Sequence, residues 1–178
     1  MASIFLDFSP PLDNPFVGKA GSLPEIYSLG HRNQQGLALH PETGQPFATE
    51  HGMQGGDELN AIEPGGNYGW PLVTYGRHYD GRRIVENVWR DDLKEPVVFW
   101  VPSIGPSGLA FYTGDRFPVW KGNIFAGALR SGTFHAPVIS SASSSTRGAR
   151  SCDVSRCSES SARGSVTSGR GLTVCSTY

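Results

Sequence analysis

Residues 50–71, reading EHGMQGGDELNAIEPGGNYGWP, concentrate the groups in this chain that could do chemistry. The side-chain carboxylates of Asp57 and Glu58 are hard oxygen donors, and two Gly-Gly pairs let the backbone turn so that carbonyls point inward. A segment this polar and this sharply turned is a poor core and a good cradle for a hard cation such as calcium. Asp57 and Glu58 are adjacent, so on a strand they point to opposite faces and do not form an acid/base pair. The expectation is that one reaches a cation while the other braces a turn. The alternative is a solvent-facing pair in a loop, and the surrounding glycines weigh against it.

Three further groups stand out. Gly30-His31-Arg32-Asn33-Gln34-Gln35-Gly36 sets five polar side chains between apolar runs. Arg32 offers a planar fork for carboxylates, and Asn33 adds a donor and an acceptor beside it; a solvated loop is the plainer reading. Trp100-Val101-Pro102-Ser103-Ile104-Gly105-Pro106-Ser107 reads as a rigid bend carrying a hydroxyl, serving either as a structural corner or as a ligand contact. Arg130 follows the apolar run 123–129 and faces an anion or solvent. The five histidines show no metal-pair spacing, no Gly-x-Ser-x-Gly elbow is present, and no phosphate-cradling loop occurs. Hydrolase and nucleotide-enzyme readings therefore lack support.

The elements that must position these groups read as short strands. Pro10, Pro11, Pro15 and Pro24 make residues 1–24 an irregular lead-in. Strand-like runs follow at 25–29, 37–40, 46–51 and 58–63, enough for one modest antiparallel sheet, with Pro41-Glu42-Thr43-Gly44 as a turn. A second pass begins where Gly108-Leu109-Ala110-Phe111-Tyr112 echoes Gly36-Leu37-Ala38-Leu39-His40, each followed by an aromatic-containing strand. Residues 64–100 form a long insertion between the two passes. Repeated sheets of this kind point to an all-β propeller.

Composition narrows the function. The 178-residue chain carries a net charge of −1 with 17% charged residues, which gives no electrostatic case for nucleic acid or an anionic membrane. It has no apolar run long enough for a membrane span, and its opening residues show no secretory-signal pattern. All nine Phe and all four Trp precede Pro137, whereas all three Cys follow it in a Ser/Arg/Gly-rich stretch. Cys152, Cys157 and Cys175 suit neither a disulfide framework nor a zinc site. Residues 137–178 thus read as a low-complexity tail, disordered or translated from a shifted reading frame.

Successive motifs carry a resemblance. Residues 25–38 (EIYSLGHRNQQGLA), His51-Gly52 through Gly56-Asp57-Glu58-Leu59-Asn60, Gly66-Asn67-Tyr68-Gly69-Trp70-Pro71, residues 102–112 (PSIGPSGLAFY) and Gly127-Ala128-Leu129-Arg130 resemble the soluble PQQ-dependent glucose/sorbosone (aldose sugar) dehydrogenases. The resemblance implies a partial six-bladed β-propeller over residues 25–136, binding pyrroloquinoline quinone (PQQ) and calcium. It implies that Arg32, Asn33 and His51 contact the quinone, with Ser103, Leu129 and Arg130 lining it from later loops. Gly52 and Met53 correspond to carbonyl ligands of the cofactor calcium, and Glu58 with the Tyr68 carbonyl to ligands of a second, structural calcium. Met53 stands where the family often has Pro, and Val101 where an aromatic often precedes the Pro-Ser bend.

The same resemblance implies an aldose substrate, an electron acceptor and a periplasmic or secreted setting. The segment that carries the family's catalytic histidine has no counterpart here, so no catalytic residue is assigned and this chain is expected to have little activity by itself. Two other classes remain open: a non-catalytic propeller module binding a carbohydrate or protein partner, and a calcium-binding fragment without quinone affinity.

Overall fold

A computed structural model of the chain describes residue 1, residues 9–129 and the backbone of two strands nearer the C-terminus. The architecture is all-β. Strands β1 (Gln34–Leu39), β2 (Pro46–Glu50), β3 (Asp57–Ala61) and β4 (Val98–Trp100) form one antiparallel sheet in the order β1-β2-β3-β4. A second sheet contains β5 (Pro106–Phe111), β6 (Ile124–Ala128), β7 (Val166–Gly169) and β8 (Leu172–Ser176) in the order β5-β6-β8-β7. Within it β5 and β6 are antiparallel, and β6 and β8 run parallel. Two sheets of this kind suit a propeller-type fold family, and the described residues do not close into a ring.

Alternation decides which residues meet. On β2, Phe47 and Thr49 face the second sheet while Ala48 and Glu50 face away from it, as period-two side-chain placement demands. Phe47, Leu59, Val98 and Ile124 are buried together between the sheets, with Leu109, Phe111 and Trp100 packed around them. Burying each large apolar side chain stabilises the fold by roughly 1.5–3 kcal/mol. On the far side of β2, Ala48, Ile62 and Tyr68 form a second cluster against Tyr27 and Met1. Thr49, fully buried, accepts from the Gly36 amide at 3.0 Å and donates to the Ser107 carbonyl at 3.2 Å, pinning one sheet to the other.

Several sequence expectations are met and one is corrected. The turn between β1 and β2 closes with the Gly44 amide on the His40 carbonyl at 2.8 Å, and Gly44 takes a positive φ of 70°. Residues 25–29, expected as a strand, belong to neither described sheet, and Leu29 makes an isolated parallel bridge to Asn67. Their backbone is instead engaged by the 65–68 loop, through Leu29 to Gly66, Gly65 to Tyr27 and Tyr68 to Leu29. The fourth strand of the first sheet is β4, supplied from the end of the long insertion. Two strands, β7 and β8, fall within the segment read as a disordered or frame-shifted tail. The rest of residues 137–178 lies outside the described residues, as does the question of its reading frame.

Close approach of the sheets makes one glycine indispensable. A Cβ on Gly36 would stand 2.6 Å from the Ser107 carbonyl oxygen and 2.9 Å from the Leu109 Cβ, whereas a Cβ on its sequence counterpart Gly108 meets nothing within 4 Å. Gly36→Ala is therefore expected to cost about 1–3 kcal/mol through overpacking, and Gly108→Ala to be near neutral. Urea midpoints of the two variants at low protein concentration check this; equal midpoints would mean that the sheets do not approach as described.

Candidate functional site

The loop before β1 delivers two polar side chains to the end of β2. Leu29 and Gly30 run beside residues 66–70, with the Trp70 amide donating to the Gly30 carbonyl at 2.9 Å. That pairing stacks the His31 ring on Tyr68 at 4.7 Å between centroids. His31 Nε2 lies 2.8 Å from Ser28 Oγ, and its Nδ1 lies 3.3 Å from Glu50 Oε1. The Arg32 amide donates to Glu50 Oε2 at 2.7 Å. The Arg32 guanidinium donates to the His51 carbonyl at 2.9 Å and also to the Gly52 carbonyl, and it lies 5.3 Å over the Trp70 ring.

A cleft opens where these groups meet β3. Its walls include Arg32, Glu50, Gly52, Glu58, Tyr68 and Thr74. Glu50 and Glu58 are direct cross-strand partners, so two carboxylates share one face of the sheet. Like charges placed opposite each other repel. The Asn60 amide nitrogen bridges them, donating to Glu50 Oε1 at 2.6 Å and to Glu58 Oε2 at 3.2 Å. Burial, and next the Glu50 charge, push the Glu58 carboxyl up to about 7. The Asn60 Oδ1 is buried and has no hydrogen-bond partner among the described residues. Two carboxylates, Glu50 and Glu58, thus share this end of the cleft, with the Asn60 side chain hydrogen-bonded to both.

Asp57, next in the chain to Glu58, faces the other way. Its Oδ1 accepts from the Gly52 amide at 2.9 Å. Its Oδ2 accepts from Ser103 Oγ at 2.6 Å, the Ile104 amide at 2.8 Å and the Gly105 amide at 3.0 Å. His51 Nδ1 stands 3.9 Å from Asp57 Oδ1. The Gly105 carbonyl in turn accepts from the Leu129 amide at 2.9 Å. One buried carboxylate thus holds together the loops that carry Gly52, Ser103 and, through Gly105, Leu129.

Of the residues singled out in the sequence, Arg32, His51, Gly52, Glu58 and Tyr68 line one cleft. Ser103 and Leu129 are joined to it through Asp57 and Gly105. Asn33 is exposed, with its side chain accepting from Gln35 at 2.8 Å and its carbonyl receiving the His51 amide at 2.8 Å. Met53 is absent from the cleft wall and makes a short bridge to Gly55. Arg130 lies outside the described residues. Sequence reading missed Glu50 as a partner of Glu58, and it missed Asn60 between them. The signal was available: Glu50 and Asn60 are polar residues on the two strands flanking the turn at residues 51–56, on the same face as Glu58.

Comparison with known proteins gives a consistent picture. The model of the Glucose / Sorbosone dehydrogenase family matches residues 1–156. The chain is 44% identical over 122 residues to the aldose sugar dehydrogenase YliI of Escherichia coli, covering 67% of this chain and 33% of that protein. A crystal structure of a glucose dehydrogenase superposes with a TM-score of 0.68 at 48% identity, over 71% of this chain and 37% of the other. The PQQ-bound form of the aldose sugar dehydrogenase from Streptomyces coelicolor superposes with a TM-score of 0.51 at 35% identity, over 71% of this chain and 31% of the other. The chain spans about a third of the length of the curated relatives it matches most extensively.

The carboxylate pair makes stability depend on pH in a defined direction. Glu58 titrates near 7 in the folded protein against an ordinary value of 4.5, so the folded chain keeps a proton that the unfolded chain has released. Its ionisation costs stability as pH rises from about 4.5 through about 7, on the order of 3 kcal/mol in full, and the cost is absent below that window. In chelator-treated protein, Glu58→Gln is expected to raise the denaturation midpoint at pH 8 and to leave it unchanged at pH 4. Equal effects at both pH values would show that the fold does not raise the Glu58 carboxyl above its ordinary range.

Proposed function

Because the chain belongs to the Glucose / Sorbosone dehydrogenase family, we propose that it forms part of a quinoprotein sugar dehydrogenase that oxidises an aldose at its anomeric carbon to the lactone. The observation that carries this reading is the convergence of Arg32, His51, Gly52, Glu58 and Tyr68 on one cleft. In such a reaction the C1–H bond breaks with its electron pair, the C1 hydroxyl loses a proton, and an external acceptor finally takes the electrons. PQQ, when bound, supplies the two-electron sink, and calcium polarises it.

The residues of this chain fit that pair of groups. Arg32, whose guanidinium lies over the Trp70 ring, would offer its charge and donors to a cofactor carboxylate. The Gly52 and Met53 carbonyls are the ligands proposed for the cofactor calcium. Glu58 and the Tyr68 carbonyl are proposed for a structural calcium, whose charge would relieve the opposition of Glu50 and Glu58 and engage the unpaired Asn60 oxygen. Asn33, His51, Ser103, Leu129 and Arg130 are proposed to line the quinone. No catalytic base is assigned among the described residues, so the 178-residue chain alone is proposed to bind cofactor without turning over sugar. A periplasmic or secreted setting belongs to the same reading.

Arg32 supports a two-part test. Its guanidinium now occupies the Gly52 carbonyl, the oxygen proposed for calcium, so cation and arginine compete there while arginine and quinone cooperate. PQQ is expected to quench the tryptophan fluorescence of the full chain with calcium present, and a chelator to reverse it. Arg32→Ala is expected to weaken PQQ roughly tenfold to a hundredfold, the worth of a lost charge-assisted hydrogen bond. The same variant is expected to bind calcium alone no more weakly than the wild type. Absence of a calcium-dependent PQQ signal sinks the reading, and so does an Arg32→Ala variant that binds PQQ unchanged.

A further inference from the structure

Ser28, His31 and Glu50 form a hydroxyl, imidazole and carboxylate chain: Ser28 Oγ lies 2.8 Å from His31 Nε2, and His31 Nδ1 lies 3.3 Å from Glu50 Oε1. The order is that of a nucleophile, its base and the base's orienter. Ser28 is fully buried, however, and neither Ser28 nor His31 lies in the cleft wall, so no substrate reaches the hydroxyl. The chain holds a loop in place instead.

Both oxygens of Glu50 are engaged. Oε1 accepts from the Asn60 Nδ2 at 2.6 Å and stands beside His31, while Oε2 accepts from the Arg32 amide at 2.7 Å. The Arg32 side chain meanwhile donates to the carbonyls of His51 and Gly52, which directly follow Glu50 in the chain. The 28–32 loop and the end of β2 are therefore clamped twice, once through the Arg32 backbone and once through its guanidinium. A fixed backbone leaves only side-chain torsions to be ordered when the guanidinium meets a ligand. Glu58 opposite has a donor from Asn60 and none from the 28–32 loop among the described residues.

We propose that Glu50 is a positioning residue for Arg32, acting through the Arg32 amide and steadied by His31, and that it does not itself ligate metal. The proposal rests on the reading of Arg32 as the group that meets a cofactor carboxylate. The role demands an acceptor oxygen rather than a negative charge. A glutamine there keeps an oxygen for the Arg32 amide. Its NH2 can donate to His31 Nδ1, and to the Asn60 oxygen that lacks a partner among the described residues once that amide turns over. A methionine of similar length offers neither.

Nuclear magnetic resonance of the full chain without cofactor or calcium reads the clamp directly. Glu50→Gln is expected to keep the slow exchange of the Arg32 amide and its restrained guanidinium signals. Glu50→Met is expected to speed Arg32 amide exchange by about tenfold, the worth of one hydrogen bond to a charged group, with the Leu59 amide unchanged. His31→Phe keeps a ring against Tyr68 and every carboxylate, and is expected to speed Arg32 exchange severalfold. With calcium present, Glu50→Met is expected to bind PQQ about tenfold more weakly, and Glu50→Gln as the wild type does. Unchanged Arg32 exchange in a folded Glu50→Met or His31→Phe chain overturns the proposal. So does a Glu50→Gln chain that frees Arg32 or loses calcium binding, the mark of a metal ligand. The exchange measurements judge Glu50 whether or not PQQ binds, whereas a wild type without a PQQ signal overturns the functional reading alone.

Discussion

Asp57 is the fixture on which the site depends. Its carboxylate is completely buried, a costly position for a charge unless hydrogen bonds replace the lost water. Four donors do so: the amides of Gly52, Ile104 and Gly105 and the hydroxyl of Ser103. Three of the four come from a loop more than forty residues away in sequence. Satisfying this one carboxylate therefore fixes the mutual position of the 51–53 loop and the 103–105 bend. Loops that carry ligands are rarely rigid alone, and here the rigidity comes from a group that is itself too enclosed to meet a ligand.

Glu58 shows the contrary use of the same chemistry. It differs from its neighbour by one methylene and by the face of β3 it occupies. Among the described residues its side-chain donor is the Asn60 amide, which it shares with Glu50, and the two carboxylates lie opposite one another. Burial first, and the Glu50 charge second, raise the Glu58 value and favour its protonated form. Arg32 makes no ion pair with Glu58 among the described residues; its Nη1 donates to the carbonyls of His51 and Gly52. Adjacent acids thus divide the work, one sealed by amides as a brace and the other left short of cations.

Part of this was legible in the sequence, for identifiable reasons. Short strand-like runs bounded by turns, together with the repeated Gly-Leu-Ala, located most of the strands, because turn residues punctuate the chain where strands end. Adjacency alone separated the roles of Asp57 and Glu58. Residues 25–29 misled because an apolar, β-favouring run says nothing about which partner its backbone finds, and its partner proved to be the 65–68 loop. The short β4 was invisible for the reverse reason: three residues are too few to show a period. Glu50 was read as one acid in a polar stretch, since opposition to Glu58 is a matter of register across a turn rather than of spacing along the chain.

Register also explains why site and scaffold stand or fall together. Along β2, Phe47 and Thr49 bind the second sheet while Ala48 and Glu50 face the Tyr68 side and the cleft. Along β3, Leu59 enters the inter-sheet core and Asp57 reaches the 103–105 bend, while Glu58 and Asn60 face the cleft. A slip of one residue in either strand would place a carboxylate in the apolar core and an apolar group in the cleft. The free energy that holds Phe47 and Leu59 between the sheets is therefore the same free energy that keeps Glu50 opposite Glu58. Two like charges stay opposed because the hydrophobic faces behind them leave the strands no other pairing.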